Sequence, residues 1–159
     1  MSPARDTFSM RARLQGFRAE AEALGLAPPR VVTAGPSLRG SGHADYEGGL
    51  ALGTELVGID GIADGLFCLN DHIAFGVIDS VRRARRLQVG RDFSVVGFDD
   101  VPMAAWEAYR LTTFRQDPGA FAGQIMAALD HRLGSQDAAS SQTLIPANLI
   151  ERESVAAED

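Results

Sequence analysis

The stretch from Gly65 to Asp100 constrains the fold most, because it alternates between the patterns of a strand, a helix and a second strand. Leu66 to Leu69 is a short apolar run, which is typical of a strand buried on both faces. A helix is predicted next by apolar residues at the helical spacing, namely Ile73, Ala74, Val77, Ile78, Val81 and Ala84. Phe93 to Phe98 is a second apolar run, so the stretch predicts one right-handed βαβ unit with two parallel strands.

Polar residues follow both predicted strands at the point where each strand ends. Asn70 and Asp71 come after the first strand, and Asp99 and Asp100 come after the second. Parallel strands end at the same edge of a sheet, and ligands bind outside the carboxyl ends of such strands. We therefore expect the two polar pairs to converge on one crevice. The pair Asn70-Asp71 can cap the helix by accepting hydrogen bonds from its free backbone N–H groups. Asp71 is expected to cap the helix rather than to contact a ligand, and Asp100 is expected to cap the segment that follows the second strand.

The rest of the chain continues the alternation of helix and strand patterns. Further helices are predicted from Phe8 or Ser9 to Gly25, from Tyr46 to Val57, and from Pro118 to Leu133. Further strands are predicted at Arg30 to Thr33, Leu111 to Phe114 and Thr143 to Glu151. Together these elements predict an α/β fold, with a parallel sheet that carries helices on both faces.

The composition excludes several classes of function. A net charge of −6 argues against a nucleic-acid-binding surface, because phosphate contacts need a basic face. All fifteen basic residues are arginine, so chemistry that depends on lysine is excluded. Cys68 has no second cysteine to pair with and is expected in the core. Nothing in the sequence resembles a signal peptide or a membrane span, so we expect a cytoplasmic protein with no membrane partner.

Five blocks of sequence, in order along the chain, carry a resemblance to a known family. They are RLQGF at Arg13–Phe17, LNDHIAFG at Leu69–Gly76, DFSVVGFDD at Asp92–Asp100, LTTFRQD at Leu111–Asp117 and LIPANLIERES at Leu144–Ser154. On these blocks the chain resembles the effector-binding domain of the LacI/GalR transcription repressors, which are relatives of the periplasmic sugar-binding proteins. The resemblance implies a periplasmic-binding-protein-like (Rossmann-like) lobe and the sensing of a ligand.

The resemblance and the side-chain chemistry together predict a ligand site at the crevice. Carboxylate and amide oxygens accept hydrogen bonds from hydroxyl groups, while a guanidinium group donates them, which suits a sugar or a similar small polar effector. The predicted ligand-binding residues are Arg13, Asn70, Asp99, Gln116, Ser9 and His43. Asp99 is the principal candidate, and an ordinary turn carboxylate is the alternative interpretation.

Two of these residues depend on the resemblance for their assignment. Arg13 lies at the edge of the apolar stripe of the first helix and matches a family arginine that reaches into the ligand cleft; the alternative is a solvated surface arginine. His43 stands where the family often has an aromatic ring, if Gly48 is the helix glycine of the family pattern. An exposed loop histidine is the alternative, and the departure leaves the identity of the effector open.

The resemblance also implies an incomplete second lobe. Residues 1–115 correspond to the C-terminal lobe of the effector-binding domain, 116–142 to a crossover helix and loop that normally belong to the other lobe, and 143–159 to a closing strand and acidic tail. Operator DNA would be contacted only through a headpiece that this chain lacks. The family dimerises through this lobe, so we expect a homodimer with the apolar stripe of the Pro118–Leu133 helix in its interface.

Two other functions remain open on the sequence. A strand that ends in two aspartates, opposite another aspartate, could hold Mg²⁺ for phosphoryl transfer as receiver domains do, although those also need a lysine at a strand end. A periplasmic sugar-binding protein of the same architecture is the other alternative, and the lack of a signal sequence weighs against it. Neither H-E-x-x-H nor G-x-S-x-G occurs, and we expect no enzymatic activity, no metal and no cofactor.

Overall fold

The structure is a computed structural model, and it describes residues 8–33, 42–57, 64–84, 87–134 and 143–156 of the chain. Within the second of these ranges, side chains are described from Asp45 onward. The described helices are α1 (Phe8–Ala23), α2 (Gly42–Val57), α3 (Asp71–Ala84) and α4 (Pro118–Gly134). The described strands are β1 (Gly65–Phe67), β2 (Ser94–Phe98), β3 (Thr112–Gln116) and β4 (Ala147–Ile150).

The four strands form one sheet in the order β1-β2-β3-β4. The first three are parallel, with Leu66 beside Val95 and Val96 beside Thr112. β4 runs antiparallel to β3 and places Ala147 beside Gln116, so the chain returns to the sheet at the point where it left. The predicted βαβ unit and the mostly parallel α/β fold are confirmed.

Several predicted boundaries differ from those of the structure. β1 ends at Phe67 because the chain turns at Leu69 and Asn70 to enter α3, and α2 begins at Gly42 rather than at Tyr46. The strand predicted at Arg30–Thr33 was wrong: within it only Thr33 has a bridge, and β1 is the edge of the described sheet. The predicted loop at 135–142, most of the predicted loop at 35–42 and the end of the acidic tail lie outside the described residues.

The core is built around α3, which lies between α2 and the sheet. Both faces of α3 are buried because one contacts the sheet and the other contacts α2. The buried apolar side chains of α3 are Ile73, Ala74, Phe75, Val77, Ile78 and Val81. They meet Val95 of β2 and Leu111 beside β3 in one cluster. Burying a side chain of this size stabilises the fold by about 1.5–3 kcal/mol.

Glycines allow α2 and α3 to approach closely. A Cβ on Gly76 of α3 would overlap the backbone of Tyr46, Gly49 and Leu50 in α2. In return, a Cβ on Gly49 would overlap the backbone carbonyl of Ile73. A Cβ at either position would overlap backbone atoms, which cannot move aside as a flexible side chain can. Both positions therefore require glycine if the two helices are to pack this closely.

The opposite face of the sheet is only partly covered. Phe17 of α1 stacks on Phe67 of β1 with their ring centroids 5.0 Å apart. Beside this contact a cleft of about 1000 Å³ lies between α1 and the strands, and Phe98, Phe114 and Leu149 contribute to its apolar lining. Helices therefore lie on both faces of the sheet, as predicted, but α3 covers its face more completely than α1.

The last helix, α4, contributes nothing to the core. Asp117 caps it by accepting hydrogen bonds from the backbone N–H groups of Gly119 (2.8 Å) and Ala120 (3.2 Å). No residue of α4 is buried, and Phe121 and Leu129 remain 54% and 47% exposed. Among the described residues, no helix has both the length and the apolar character needed to cross a bilayer.

The contact between α2 and α3 gives the first testable prediction. Gly76→Ala should lower the free energy of unfolding by about 1–3 kcal/mol, because the added methyl group must push two backbones apart. Gly123→Ala in α4 is the matched control, since a Cβ there meets no atom within 4 Å. It should leave stability unchanged or raise it by up to about 1 kcal/mol. Urea titrations measure both, and equal effects of the two substitutions would contradict the glycine contact.

Candidate functional site

A buried carboxylate, that of Asp71, joins the carboxyl ends of the strands. Its Oδ2 accepts a hydrogen bond from the backbone N–H of Val101 at 2.9 Å, and its Oδ1 accepts one from the Thr113 hydroxyl at 2.6 Å. The residue has no exposed surface, and a Cβ on Gly97 would overlap this carboxylate. Burial raises the pKa of Asp71, although the hydrogen bonds from Thr113 and Val101 oppose that shift.

The expectation that Asp71 caps α3 was therefore wrong. Asn70 is the cap: its Oδ1 accepts a hydrogen bond from the backbone N–H of Ile73 at 2.9 Å. Of the pair Asn70-Asp71, only Asn70 caps the helix, because the chain turns into α3 one residue earlier than a cap at Asp71 requires. Asp71 then lies in the first turn of α3, where its side chain contacts the sheet.

The predicted capping role of Asp100 was also wrong. The short 3-10 helix Pro102–Ala105 begins after Val101 and has no side-chain cap. Asp100 instead accepts hydrogen bonds from Arg152 (2.8 Å) and Arg115 (2.5 Å), and its side chain is only 4% exposed. Burial favours a higher pKa for Asp100, but the hydrogen bonds from the two arginines outweigh it and the pKa is lowered.

The backbone at the end of β2 is strained. Asp99 has φ = 118° and Asp100 has φ = 51°, values that residues other than glycine rarely adopt. Each such residue costs about 1–3 kcal/mol and persists only when its surroundings determine it. The turn is maintained by the Asp71 bond to Val101 and by a hydrogen bond from the Asp99 N–H to the Phe114 carbonyl at 2.9 Å. Strain of this kind is typical of functional sites.

The strained turn brings Asp99 into contact with Arg13 of α1. The Arg13 Nη2 donates to the Asp99 Oδ1 at 3.1 Å, and its Nη1 donates to the Leu69 carbonyl at 2.7 Å. The guanidinium carbon also lies 3.7 Å above the centroid of the Phe98 ring. The side chain of Arg13 is 18% exposed and that of Asp99 is 38% exposed, so the pair lies at the surface of the crevice. Partial burial raises the pKa of Asp99, and the charge of Arg13 opposes that shift.

Asn70 lies next to this pair but is largely buried. Its Nδ2 donates to the Asp45 Oδ2 of α2 at 2.8 Å, while its Oδ1 caps α3. Asp45 was not among the predicted site residues. The sequence signal that could have pointed to Asp45 is its position in the first turn of α2, where an acidic side chain is favoured by the helix N-terminus.

The three remaining predicted residues lie on α1, α2 and β3. Gln116 is exposed at the carboxyl end of β3, and Ser9 is exposed in the first turn of α1. His43 lies in the first turn of α2, and its side chain is outside the described part of the chain. The structure thus brings Arg13 to Asp99 and Asn70 to Asp45, and the ligand-binding roles of all six residues stay predictions.

Because Thr113 contacts the ionised form of Asp71, its removal should have a pH-dependent effect. The raised pKa of Asp71 means that this group's contribution to stability is lost as the pH rises through that pKa. Thr113→Val should raise the pKa further and cost about 1.5–3 kcal/mol at neutral pH, with a smaller cost once Asp71 is protonated. Thr54→Val is the control, because the Thr54 hydroxyl contacts the Leu50 carbonyl and the Ser80 hydroxyl and, within the described part of the chain, no carboxylate.

Urea titrations of both variants between acidic and neutral pH measure these costs. A Thr113→Val cost that does not change with pH would show that the hydroxyl does not contact a carboxylate.

Comparison with known proteins identifies the family. Residues 1–155 match the periplasmic binding protein-like domain. The HTH-type transcriptional regulator MalR of Streptomyces coelicolor is 35% identical over 116 residues, which cover 72% of this chain and 33% of MalR. Thus the chain spans about a third of that relative.

Two solved structures share the fold. A LacI family transcriptional regulator from Lactobacillus casei, with bound sucrose, is 28% identical with a TM-score of 0.68, over 91% of this chain and 51% of that one. The lac repressor dimer bound to operator and the anti-inducer ONPF is 25% identical with a TM-score of 0.74, over 94% and 49%. The chain belongs to the periplasmic binding protein-like family, in the form of the effector-binding domain of LacI/GalR-type regulators.

Proposed function

We propose that this chain is the ligand-sensing part of a LacI-type transcriptional repressor, and that its effector is a sugar or a similar small polar molecule. The observation that carries the proposal is the contact between Arg13 and Asp99 at the carboxyl ends of the strands. It supplies a charged donor and a charged acceptor, both partly exposed, in the crevice where α/β sheets bind ligands. A sucrose-bound regulator among the structural relatives supports the same class of ligand.

Strain at Asp99 supports a role in binding rather than in stability alone. A turn carboxylate with no function would cost less as asparagine or glycine, which adopt positive φ more readily. Asp99 instead keeps a carboxylate in an unfavourable backbone conformation, with one oxygen directed to Arg13. An effector hydroxyl would donate to that carboxylate and accept from the guanidinium group.

The partners follow from the same proposal. Operator DNA would be contacted through a helix-turn-helix headpiece, since MalR is an HTH-type transcriptional regulator. The repressor would act in the cytoplasm, where operator DNA is found. A homodimer is proposed because the related lac repressor is described as a dimer. Residues 116–142, which include α4, would form the segment that crosses to a second lobe.

The alternative of a magnesium-dependent phosphoryl-transfer domain finds no support in the geometry. Such a site needs carboxylate oxygens that can bind the cation. Both oxygens of Asp71 already accept hydrogen bonds from Val101 and Thr113, and those of Asp100 are paired with Arg152 and Arg115. A periplasmic sugar-binding protein remains the second candidate, because it would present the same strand-end site.

Replacement of Asp99 tests the proposed effector site. Asp99→Ala should weaken binding of a sugar that the chain recognises by about 1.5–3 kcal/mol, or about 10- to 150-fold in Kd, because a hydrogen bond to a charged group is lost. NMR titration with ribose and sucrose at millimolar concentrations suits the weak affinity expected of a site open on one side. Asp130→Ala on exposed α4 is the control. Unchanged affinity in Asp99→Ala would show that the site is misassigned.

The exposed stripe of α4 gives a prediction about assembly. Its four apolar members are Phe121, Ile125, Leu129 and Leu133, which are 45–85% exposed. Four side chains of this kind forgo about 3–6 kcal/mol when each stays half in water, which favours a second copy that covers them.

We therefore expect light scattering after size exclusion to show a dimer at tens of micromolar. Ile125→Asp should shift the chain to monomer, whereas Ala127→Asp on the other side of α4 should not. A wild-type monomer at this concentration would contradict the expected interface.

A further inference from the structure

Asp45 determines the orientation of the Asn70 amide. A carboxylate can only accept hydrogen bonds, so it must face the NH₂ end of an amide, and the 2.8 Å contact joins the Asp45 Oδ2 to the Asn70 Nδ2. The amide oxygen then faces the backbone N–H of Ile73 at 2.9 Å. Both ends of the amide are therefore assigned by their partners, and rotation of the amide by half a turn would break both hydrogen bonds.

The backbone that carries Asp45 cannot easily move away from Asn70. The neighbouring Tyr46 donates its hydroxyl to the Asp79 carboxylate of α3 at 2.8 Å. One turn further along, Gly49 approaches α3 so closely that a Cβ would overlap its backbone. These contacts fix the first turns of α2 against α3, so Asp45 remains within hydrogen-bond distance of Asn70.

A line of contacts connects Asp45 to the pair proposed to bind the effector. Asn70 follows Leu69, whose carbonyl accepts the second hydrogen bond of Arg13, and Arg13 contacts Asp99. Asp45 is thus linked to Asp99 through Asn70, its neighbour Leu69 and then Arg13. A change at Asp45 would reach the effector site through the side chain of Asn70 and the turn that contains it.

At this edge of the sheet, Asp99 and Asp100 are each paired with arginine, whereas Asp45 is not paired with any described arginine. Arg13 is paired with Asp99, and Arg115 and Arg152 are paired with Asp100. Among the residues that the structure describes, no arginine forms an ion pair with Asp45, whose described partner is a neutral amide. A hydroxyl group can donate to these carboxylates, whereas a phosphate group would meet an unneutralised negative charge and arginines that are already paired.

We propose that Asp45 is a positioning and specificity-determining residue of the effector site, through which the site accepts uncharged polyhydroxy ligands and rejects their phosphorylated forms. The inference rests on the function proposed above and assigns to that site a residue outside the six that were predicted. Asp45 acts through Asn70, by orienting its amide, and through its own charge.

The orienting role has a spectroscopic test that needs no ligand. The side-chain NH₂ resonances of Asn70 should shift, and their exchange with water should accelerate, in Asp45→Ala. Asp45→Glu should restore part of the wild-type signal, since a longer carboxylate can still accept from Nδ2. Glu55→Gln removes the same charge from an exposed position of α2 and should leave the resonances unchanged. Identical Asn70 signals in Asp45→Ala and the wild type would overturn the orienting role.

The specificity role is tested with matched ligand pairs, ribose with ribose 5-phosphate and sucrose with sucrose 6-phosphate. The wild-type chain and Glu55→Gln should bind a neutral sugar in preference to its phosphate. Asp45→Asn, checked for an unchanged melting temperature, should weaken binding of the neutral sugar by about 5- to 30-fold, the loss of one to two kcal/mol, and should reduce the preference for the neutral sugar over its phosphate.

The two proposals fail in different ways. Binding of a neutral sugar that Asp45→Asn leaves unchanged, or a wild-type preference for the phosphate, would overturn this inference and leave the effector function intact. Binding of neither member of each pair by the wild-type chain would overturn the effector function, and with it the assigned specificity.

Discussion

The two hydrogen bonds of the Asp71 carboxylate connect three elements that the sequence separates widely. They join the first turn of α3 to the turn after β2 and to β3, at a position with no exposed surface. Burial of a carboxylate is costly unless its oxygens have partners, because the charge loses its hydration. The requirement for those partners constrains where the backbone of Val101 and the hydroxyl of Thr113 can lie, and therefore the course of the strained turn between them.

The site follows from this constraint. With Val101 fixed, Asp99 and Asp100 occupy positive φ and point in different directions, one toward Arg13 and the other toward Arg115 and Arg152. Their electrostatics differ accordingly. Burial raises the pKa of Asp71 and Asp99, so the stability each provides is lost as the pH rises through its pKa, whereas the arginines lower the pKa of Asp100, whose contribution is lost as the pH falls.

Sequence patterns predict the elements better than they predict the contacts of the site. Apolar periodicity and strand-end polarity were sufficient for the βαβ unit and for the convergence of Asn70 and Asp99 on one edge of the sheet. The capping roles of Asp71 and Asp100 were predicted wrongly, because a shift of one residue at a strand end exchanges a cap for a buried partner. Asp45 was missed because its contact with Asn70 depends on the crossing of two helices, which local sequence does not specify.

A pH titration of the aspartate carboxyl carbons by NMR tests most directly whether Asp71 organises the strand ends. We expect Asp71 and Asp99 to titrate above the ordinary range for aspartate and Asp100 below it, with the Val101 amide resonance following Asp71. This role of Asp71 would be contradicted if Asp71 titrates like an exposed aspartate and the Val101 amide resonance does not respond to pH.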